Sequence, residues 1–275
     1  MNYHRLLTIQ DISCVGQCSL TVALPILSAC GHETAILPSA VLSTHTGGFT
    51  GYTVRDLTDD IPAIQKHWQK EGITFDAIYT GYLGSLRQID YVADIFDTMA
   101  PGGRIIVDPA MADNGKLYWG FDEEYARAMG RLCAKADVIL PNISEACFMT
   151  GYPYREQYDE AYVMALLDEL TKLGAKDIIL TGISYEPSTT GVVVRENGVV
   201  SYYRHERTPK SFHGTGDIYS SAFVGAWMSG KAMTDAAAIA ADFTLESIKN
   251  TIGDDSHWYG VKFETAFPKL LAALY

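Results

Sequence analysis

The chain has 275 residues, 48% of them hydrophobic and 20% charged, which is enough apolar matter for a sizeable core. Its net charge of −12 and pI near 4.9 exclude the basic face that a nucleic-acid or anionic-membrane partner needs, but not a small anionic ligand held by glycine loops and a metal. No apolar run reaches the roughly 18 residues of a membrane span. The start Met1-Asn2-Tyr3-His4-Arg5-Leu6 has no apolar h-region, so a cytoplasmic protein without a membrane partner is expected.

The elements alternate. Leu6–Ile9 reads as a first strand, Ser19–Cys30 as a helix stopped at Gly31, and Thr34–Leu37 as a second strand. Asp59–Glu71 is helical and closes at Gly72; Phe75–Thr80 is a strand and Gln88–Met99 a helix. Arg104–Val107 is a strand running into Asp108-Pro109, followed by a helix over Glu123–Ala134. Val138–Leu140 is a strand ending in Pro141-Asn142, Glu160–Leu173 a helix, and Asp177–Leu180 a strand ending in Thr181-Gly182. Gly191–Arg195 and Val199–Arg204 flank Glu196-Asn197-Gly198, a hairpin signal. Helices follow over Ile218–Met228, Thr234–Lys249 and Phe263–Leu274. Strands alternating with helices predict an α/β fold with a mostly parallel central sheet covered by helices on both faces, and a β-hairpin before the glycine-rich segment near residue 214. No repeat or linker breaks the chain, so residues 1–275 are expected to form a single domain.

Such sheets bind ligands beyond the carboxyl ends of their strands, where Asp11, Gly81-Tyr82, Asp108, Asn142 with Glu145, and Thr181-Gly182 all fall. The most informative segment is His213-Gly214-Thr215-Gly216-Asp217 ahead of an apolar helical run. Glycines let several N–H groups converge, and the helix start adds unpaired donors and a positive dipole end, which together make an anion hole. Asp217 on its rim is placed to take a proton from an attacking hydroxyl, so the pair suits phosphoryl transfer to an alcohol. The same residues also fit a plain glycine turn with an aspartate cap.

Asp108 and Asp113 share one loop, as a metal or phosphate neighbourhood or as an ordinary turn. Asn142 and Glu145 are spaced either for a capping box or for a magnesium water shell. His45-Thr46-Gly47-Gly48 is a mobile lid or an ordinary connector, and Tyr82 between Gly81 and Gly84 is a core ring or one that stacks on a flat substrate. Gly225 through Gly230-Lys231-Ala232 misses the P-loop pattern, since Ala stands where a magnesium-binding hydroxyl is required. No G-x-G-x-x-G follows the first strand, which argues against a nicotinamide enzyme. The five cysteines are odd in number and lack metal spacing; Cys14 and Cys18 are expected to be small core residues.

Taken in order, His45-Thr46-Gly47, Gly81-Tyr82-Leu83-Gly84, Asp108-Pro109, Pro141-Asn142-x-x-Glu145 and Gly214-Thr215-Gly216-Asp217 resemble the pyridoxal kinase family of vitamin B6 kinases, in the ribokinase-like superfamily, from Leu6 to about Lys249. The resemblance implies an ATP- and Mg²⁺-dependent kinase acting on the 5′-hydroxymethyl group of a B6 vitamer, with room for a monovalent cation, and commonly a homodimer. It makes Asp217 the catalytic base and Gly214, Thr215 and Gly216 the anion hole. Asp108, Asp113 and Thr181 then lie at the nucleotide phosphates, Asn142 and Glu145 serve the magnesium shell, and His45, Thr46 and Tyr82 line the pyridine pocket. One departure bears on substrate choice: B6 kinases usually read Gln-Ser-His after the first strand, and here it is Gln10-Asp11-Ile12-Ser13. A carboxylate at Asp11 facing the ring favours the cationic vitamer pyridoxamine. Two alternatives stay open: a hydroxymethylpyrimidine kinase of thiamine synthesis, and a vitamin-binding protein that has lost turnover.

Overall fold

A computed structural model of the chain describes residues 3–275. In chain order the elements are β1 (Arg5–Ser13), α1 (Leu20–Ala29), β2 (Glu33–Leu42), β3 (Val54–Asp56), α2 (Ile61–Lys70), β4 (Ala77–Thr80) and α3 (Leu86–Met99). Then come β5 (Arg104–Val107), β6 (Ala112–Asp113), β7 (Lys116–Leu117), α4 (Glu123–Cys133), β8 (Val138–Ile139), α5 (Ile143–Thr150) and α6 (Glu160–Leu173). The last are β9 (Asp177–Ile183), β10 (Thr189–Glu196), β11 (Val199–Glu206), α7 (Thr215–Met228), α8 (Met233–Lys249) and α9 (Phe267–Leu274).

One nine-stranded sheet runs in the order β11-β10-β9-β8-β5-β4-β1-β2-β3. Every pairing from β9 across to β2 is parallel, while β3 at one edge and β10 with β11 at the other are antiparallel. Alternation along each strand splits the apolar residues between two cores. Leu7, Ile9, Val107 and Ile139 pack under α2 to α6, and Leu6, Tyr79, Ile106 and Val138 pack under α1, α7, α8 and α9. The α/β expectation, with helices on both faces and a hairpin before the glycine loop, is met.

The hairpin turns on Asn197 and Gly198, both at positive φ (50° and 81°), a combination that suits a two-residue turn between twisted strands. The expected helix over 263–274 breaks in two. Phe263–Ala266 is a 3₁₀ turn and α9 starts at Phe267, because Pro268 opens a helix well but has no N–H to continue one. β1 runs four residues past its expected end at Ile9, through an irregularity between Gln10 and Ile12, and so carries Asp11 inside the sheet.

Candidate active site

The parallel strands deliver their carboxyl ends to one edge of the sheet. There α7 begins at Thr215, after Gly214 at φ 79°. A Cβ on Gly214 would lie 1.7 Å from the Gln17 carbonyl oxygen, so the β1–α1 loop rests directly on this turn and only glycine fits. A Cβ on Gly216 would meet nothing within 4 Å, which leaves open space in front of the helix N-terminus. Thr215 Oγ1 donates to the Phe212 carbonyl (3.2 Å), closing the turn, and the first N–H groups of α7, as at any helix start, have no partner within the helix.

Asp217, half-buried in the first turn of α7, accepts the Ser19 N–H on Oδ2 at 3.0 Å. No side chain among the described residues bonds its other oxygen. Burial, then the neighbouring Asp108 carboxylate, push its pKa up to about 7; the Ser19 N–H works against them and Asp11 adds to them. Asp108 itself is buried and accepts the Ser220 hydroxyl at 2.6 Å; burial raises it to about 6 despite that bond.

Asn142 and Glu145 form a complete capping box at the start of α5: Glu145 N–H donates to Asn142 Oδ1 (3.0 Å) and Asn142 N–H to Glu145 Oε2 (2.8 Å). The Asn142 amide is fully engaged, since Nδ2 donates to the Ala112 carbonyl at 2.8 Å. Glu145 Oε1 accepts Met111 N–H at 3.2 Å, and burial followed by Asp108 holds its pKa well above the carboxylate range. No lysine or arginine figures among the groups that set Asp108 or Glu145. This buried acidic pair lacks a cation, and in that respect it fits a divalent metal. No cluster of three or more His, Cys, Asp or Glu suits a metal among the described residues, so these residues offer no closed cage. An ion here would complete its shell with phosphate and water oxygens.

The remaining expected residues fall in three places. Thr181 lies on β9 beside Asn142, its N–H on the Pro141 carbonyl at 2.9 Å. Asp113 is exposed on the β6–β7 turn, where both its oxygens bond Asn114. Asp11, His45 and Tyr82 come together beside the glycine turn, where the His45 ring lies 5.6 Å from that of His213 and Asp11 contributes to raising Tyr82 to about 12, after burial. Thr46 is exposed on the β2–β3 loop. His45 accepts Gly47 N–H on Nδ1 (3.0 Å), so Nε2 carries the proton and donates to the Tyr259 carbonyl at 2.7 Å. Burial lowers its pKa, which keeps the ring neutral.

Asp11 departs from expectation. It is 6% exposed, and its two oxygens accept the Ser19 hydroxyl (2.6 Å) and the Ser13 hydroxyl (3.1 Å), so it is not a free carboxylate at the pocket wall. Cys14 and Cys18 are also corrected. Cys14 is exposed and Cys18 only partly covered, because both sit in the loop after β1 and not in a packed element.

Two features were missed in the sequence. Tyr118, 42% exposed on the loop after β7, lies within the field of Glu145, Asp217, Asp113 and Asp108, and burial of its hydroxyl with those charges holds its pKa above the ordinary value. Trp258 and Tyr259 clasp Phe49 of the glycine-rich loop, at ring distances of 4.6 and 6.2 Å. Aromatics next to glycines in the 254–260 segment were the one available hint.

The phosphomethylpyrimidine kinase family model matches residues 27–260. A Bacteroides thetaiotaomicron VPI-5482 structure, provisionally called a phosphomethylpyrimidine kinase and crystallised with pyridoxal, superposes with TM-score 0.90 and 37% identity, over 97% of this chain and 95% of that one. Pyridoxal kinase from Lactobacillus plantarum superposes with TM-score 0.90 and 32% identity, over 98% of this chain and 97% of that one. The hydroxymethylpyrimidine/phosphomethylpyrimidine kinase of Bacillus subtilis (strain 168) is 28% identical over 223 residues, 80% of this chain and 78% of its own length. Pyridoxal kinase of Dictyostelium discoideum is 25% identical over 241 residues, 80% of this chain and 77% of its own.

Proposed function

The chain belongs to the phosphomethylpyrimidine kinase family, within the ribokinase-like superfamily, and from that premise we propose that it transfers phosphate from ATP to the 5′-hydroxymethyl group of a vitamin B6 vitamer. The observation that carries this reading is Asp217. One of its oxygens is held by Ser19 N–H and the other has no side-chain partner among the described residues, in the first helical turn after a glycine turn with open space at Gly216. A carboxyl with a pKa near 7 is poised to accept a proton from an alcohol at neutral pH. Developing charge on the transferred phosphoryl falls on the N–H groups of Gly214, Thr215 and Gly216. In this reading Asp108, Asp113 and Thr181 border the phosphates, Tyr118 adds a hydroxyl among those carboxylates, and His45, Thr46 and Tyr82 shape the ring pocket.

Glu145 and Asp108, with Asn142 orienting Glu145 through the capping box, would hold Mg²⁺ through its water shell, and the ion would neutralise phosphate charge. The single kinase unit spans residues 1–275 and works as a homodimer in the cytoplasm; size-exclusion chromatography with light scattering tests the dimer.

Similarity to a structure crystallised with pyridoxal at 37% identity and to a pyridoxal kinase at 32% identity favours a B6 vitamer. The family match and the Bacillus subtilis relative favour the second reading, the same chemistry on hydroxymethylpyrimidine. Among B6 vitamers the negative field of Asp11 favours pyridoxamine, acting past its two serine donors and not through a direct bond. An ATP-consumption assay with pyridoxal, pyridoxamine, pyridoxine and hydroxymethylpyrimidine decides. Turnover only with the pyrimidine overturns the B6 reading, and no turnover with any of them makes the protein a binder.

A further inference from the structure

Ser19 breaks two local rules at once. It occupies the N-cap position of α1, where a serine ordinarily turns its oxygen onto an N–H of the first helical turn, yet its side chain makes no capping bond. Its backbone sits at φ 52°, ψ −135°, a conformation that costs any residue with a Cβ. What it gains is a bridge. Its hydroxyl donates to Asp11 Oδ1 at 2.6 Å and its N–H to Asp217 Oδ2 at 3.0 Å, and the residue is only 5% exposed. The loop around it is pinned as well. Thr21 Oγ1 donates to the Gly16 and Cys18 carbonyls at 3.1 and 2.7 Å, and Gln17 Nε2 donates to Glu264 Oε1 at 3.0 Å.

We propose that Ser19 is the positioning residue of the catalytic base: its hydroxyl, anchored on Asp11, holds the strained backbone that aims its N–H at Asp217. One carboxylate oxygen is thereby immobilised and the other is left to face the acceptor hydroxyl. The departure at Asp11 gains a purpose, since the carboxylate serves as the anchor for Ser19. This inference rests on the phosphotransfer reading, in which Asp217 is the base.

Two experiments test it, and they fail separately from that reading. The first needs no substrate. In the wild-type protein the Ser19 amide resonance should shift with pH, with a midpoint near 7, and the shift should vanish in Asp217→Asn. Asp11 and Cys18 on the β1–α1 side, Tyr79 on β4, Asp108 after β5 and Tyr118 on the loop after β7 also surround Asp217, so its loss in that variant is what assigns the titration. An amide that does not titrate, or that titrates equally in Asp217→Asn, overturns the proposal even if a vitamer is phosphorylated.

The second compares Ser19→Ala with Ser19→Gly at saturating substrates. Alanine keeps the strain and loses the anchor, so kcat should fall about 10- to 100-fold with KM nearly unchanged, the scale of a base moved by about an ångström. Glycine adopts the same φ and ψ freely and should recover most of that loss. A merely structural N-cap would lower the melting temperature and leave kcat alone, and wild-type kcat in Ser19→Ala overturns the proposal. If Ser19→Ala fails to fold, the amide titration decides.

Discussion

Replacing Asp217 by asparagine should destroy activity and, above neutral pH, stabilise the protein. The structure sets both magnitudes. Asp217 titrates near 7 in place of the ordinary 3.8, chiefly because burial and Asp108 oppose its charge. At about 1.4 kcal/mol per pH unit, keeping it ionised costs the folded state about 4 kcal/mol relative to the unfolded chain. Below pH 3.8 the group is protonated in both states and costs nothing. The penalty grows as pH rises from there to about 7 and stays constant above. Asparagine is neutral at every pH and keeps an oxygen for the Ser19 N–H. The variant should therefore melt about 5–8 °C above wild type at pH 8 and within a degree or so of it at pH 4. Turnover should fall roughly 10²–10⁴-fold with the loss of the base, while ATP still binds by calorimetry. In the wild type, kcat/KM should decline about tenfold per pH unit below 7, as the base takes up its proton. Near wild-type turnover in the variant removes Asp217 from the mechanism. A thermal gain equal at pH 4 and pH 8 refutes the buried-charge argument.

Glu145→Gln separates metal from cap. A role in the magnesium shell predicts a metal optimum moved to higher concentration, whereas the capping box alone predicts an unchanged metal titration with thermal stability kept, because glutamine also serves that position of the box and removes a buried charge. The two glycines of the anion hole should behave oppositely. Gly214→Ala drives a methyl to 1.7 Å from the Gln17 carbonyl at positive φ and should yield little folded protein, seen by circular dichroism. Gly216→Ala meets no protein atom, so its melting temperature should hold while its methyl crowds the transferred phosphate and kcat drops at least tenfold; wild-type kcat there would place the phosphate elsewhere. Asp11→Asn removes charge but keeps both serine contacts satisfiable. It should shift the acid limb of the rate profile downward, because Asp11 is one of the groups raising Asp217, and should erase any preference for pyridoxamine in kcat/KM across the three vitamers; an unchanged vitamer ranking would take Asp11 out of substrate choice.

Most features written at short range were legible in the sequence, the break of the last helix at Pro268 being an exception. Alternating apolar runs of period two and 3.6 set the strands and helices. Asn197-Gly198 set the hairpin, because few other pairs tolerate two positive φ angles. Asn142 and Glu145, three residues apart, specified the cap of α5 with no help from the rest of the chain. The glycine loop and Asp217 were legible for the same reason, since turn and helix start are neighbours along the chain.

The contacts that join distant segments came only with the packing of the whole fold. Ser19 and Asp217 lie 198 positions apart, and nothing in either local pattern announces their bond. Asp11 reads as a loop carboxylate until β2 pairs alongside and draws β1 out to Ser13, burying it between two serines. Tyr118 has no local motif to mark it, and it comes within the field of Glu145, Asp217, Asp113 and Asp108 only through the fold, while its side chain stays partly exposed on the loop after β7. Cys14 and Cys18 look like core residues by type and are not, because exposure depends on which segment packs over a loop and not on hydrophobicity. Backbone propensity acts over one turn or one pair of strands. The electrostatics of this site depend on carboxylates brought together from β1, β5, α5 and α7, and only packing of the whole sheet brings those charges within reach of each other.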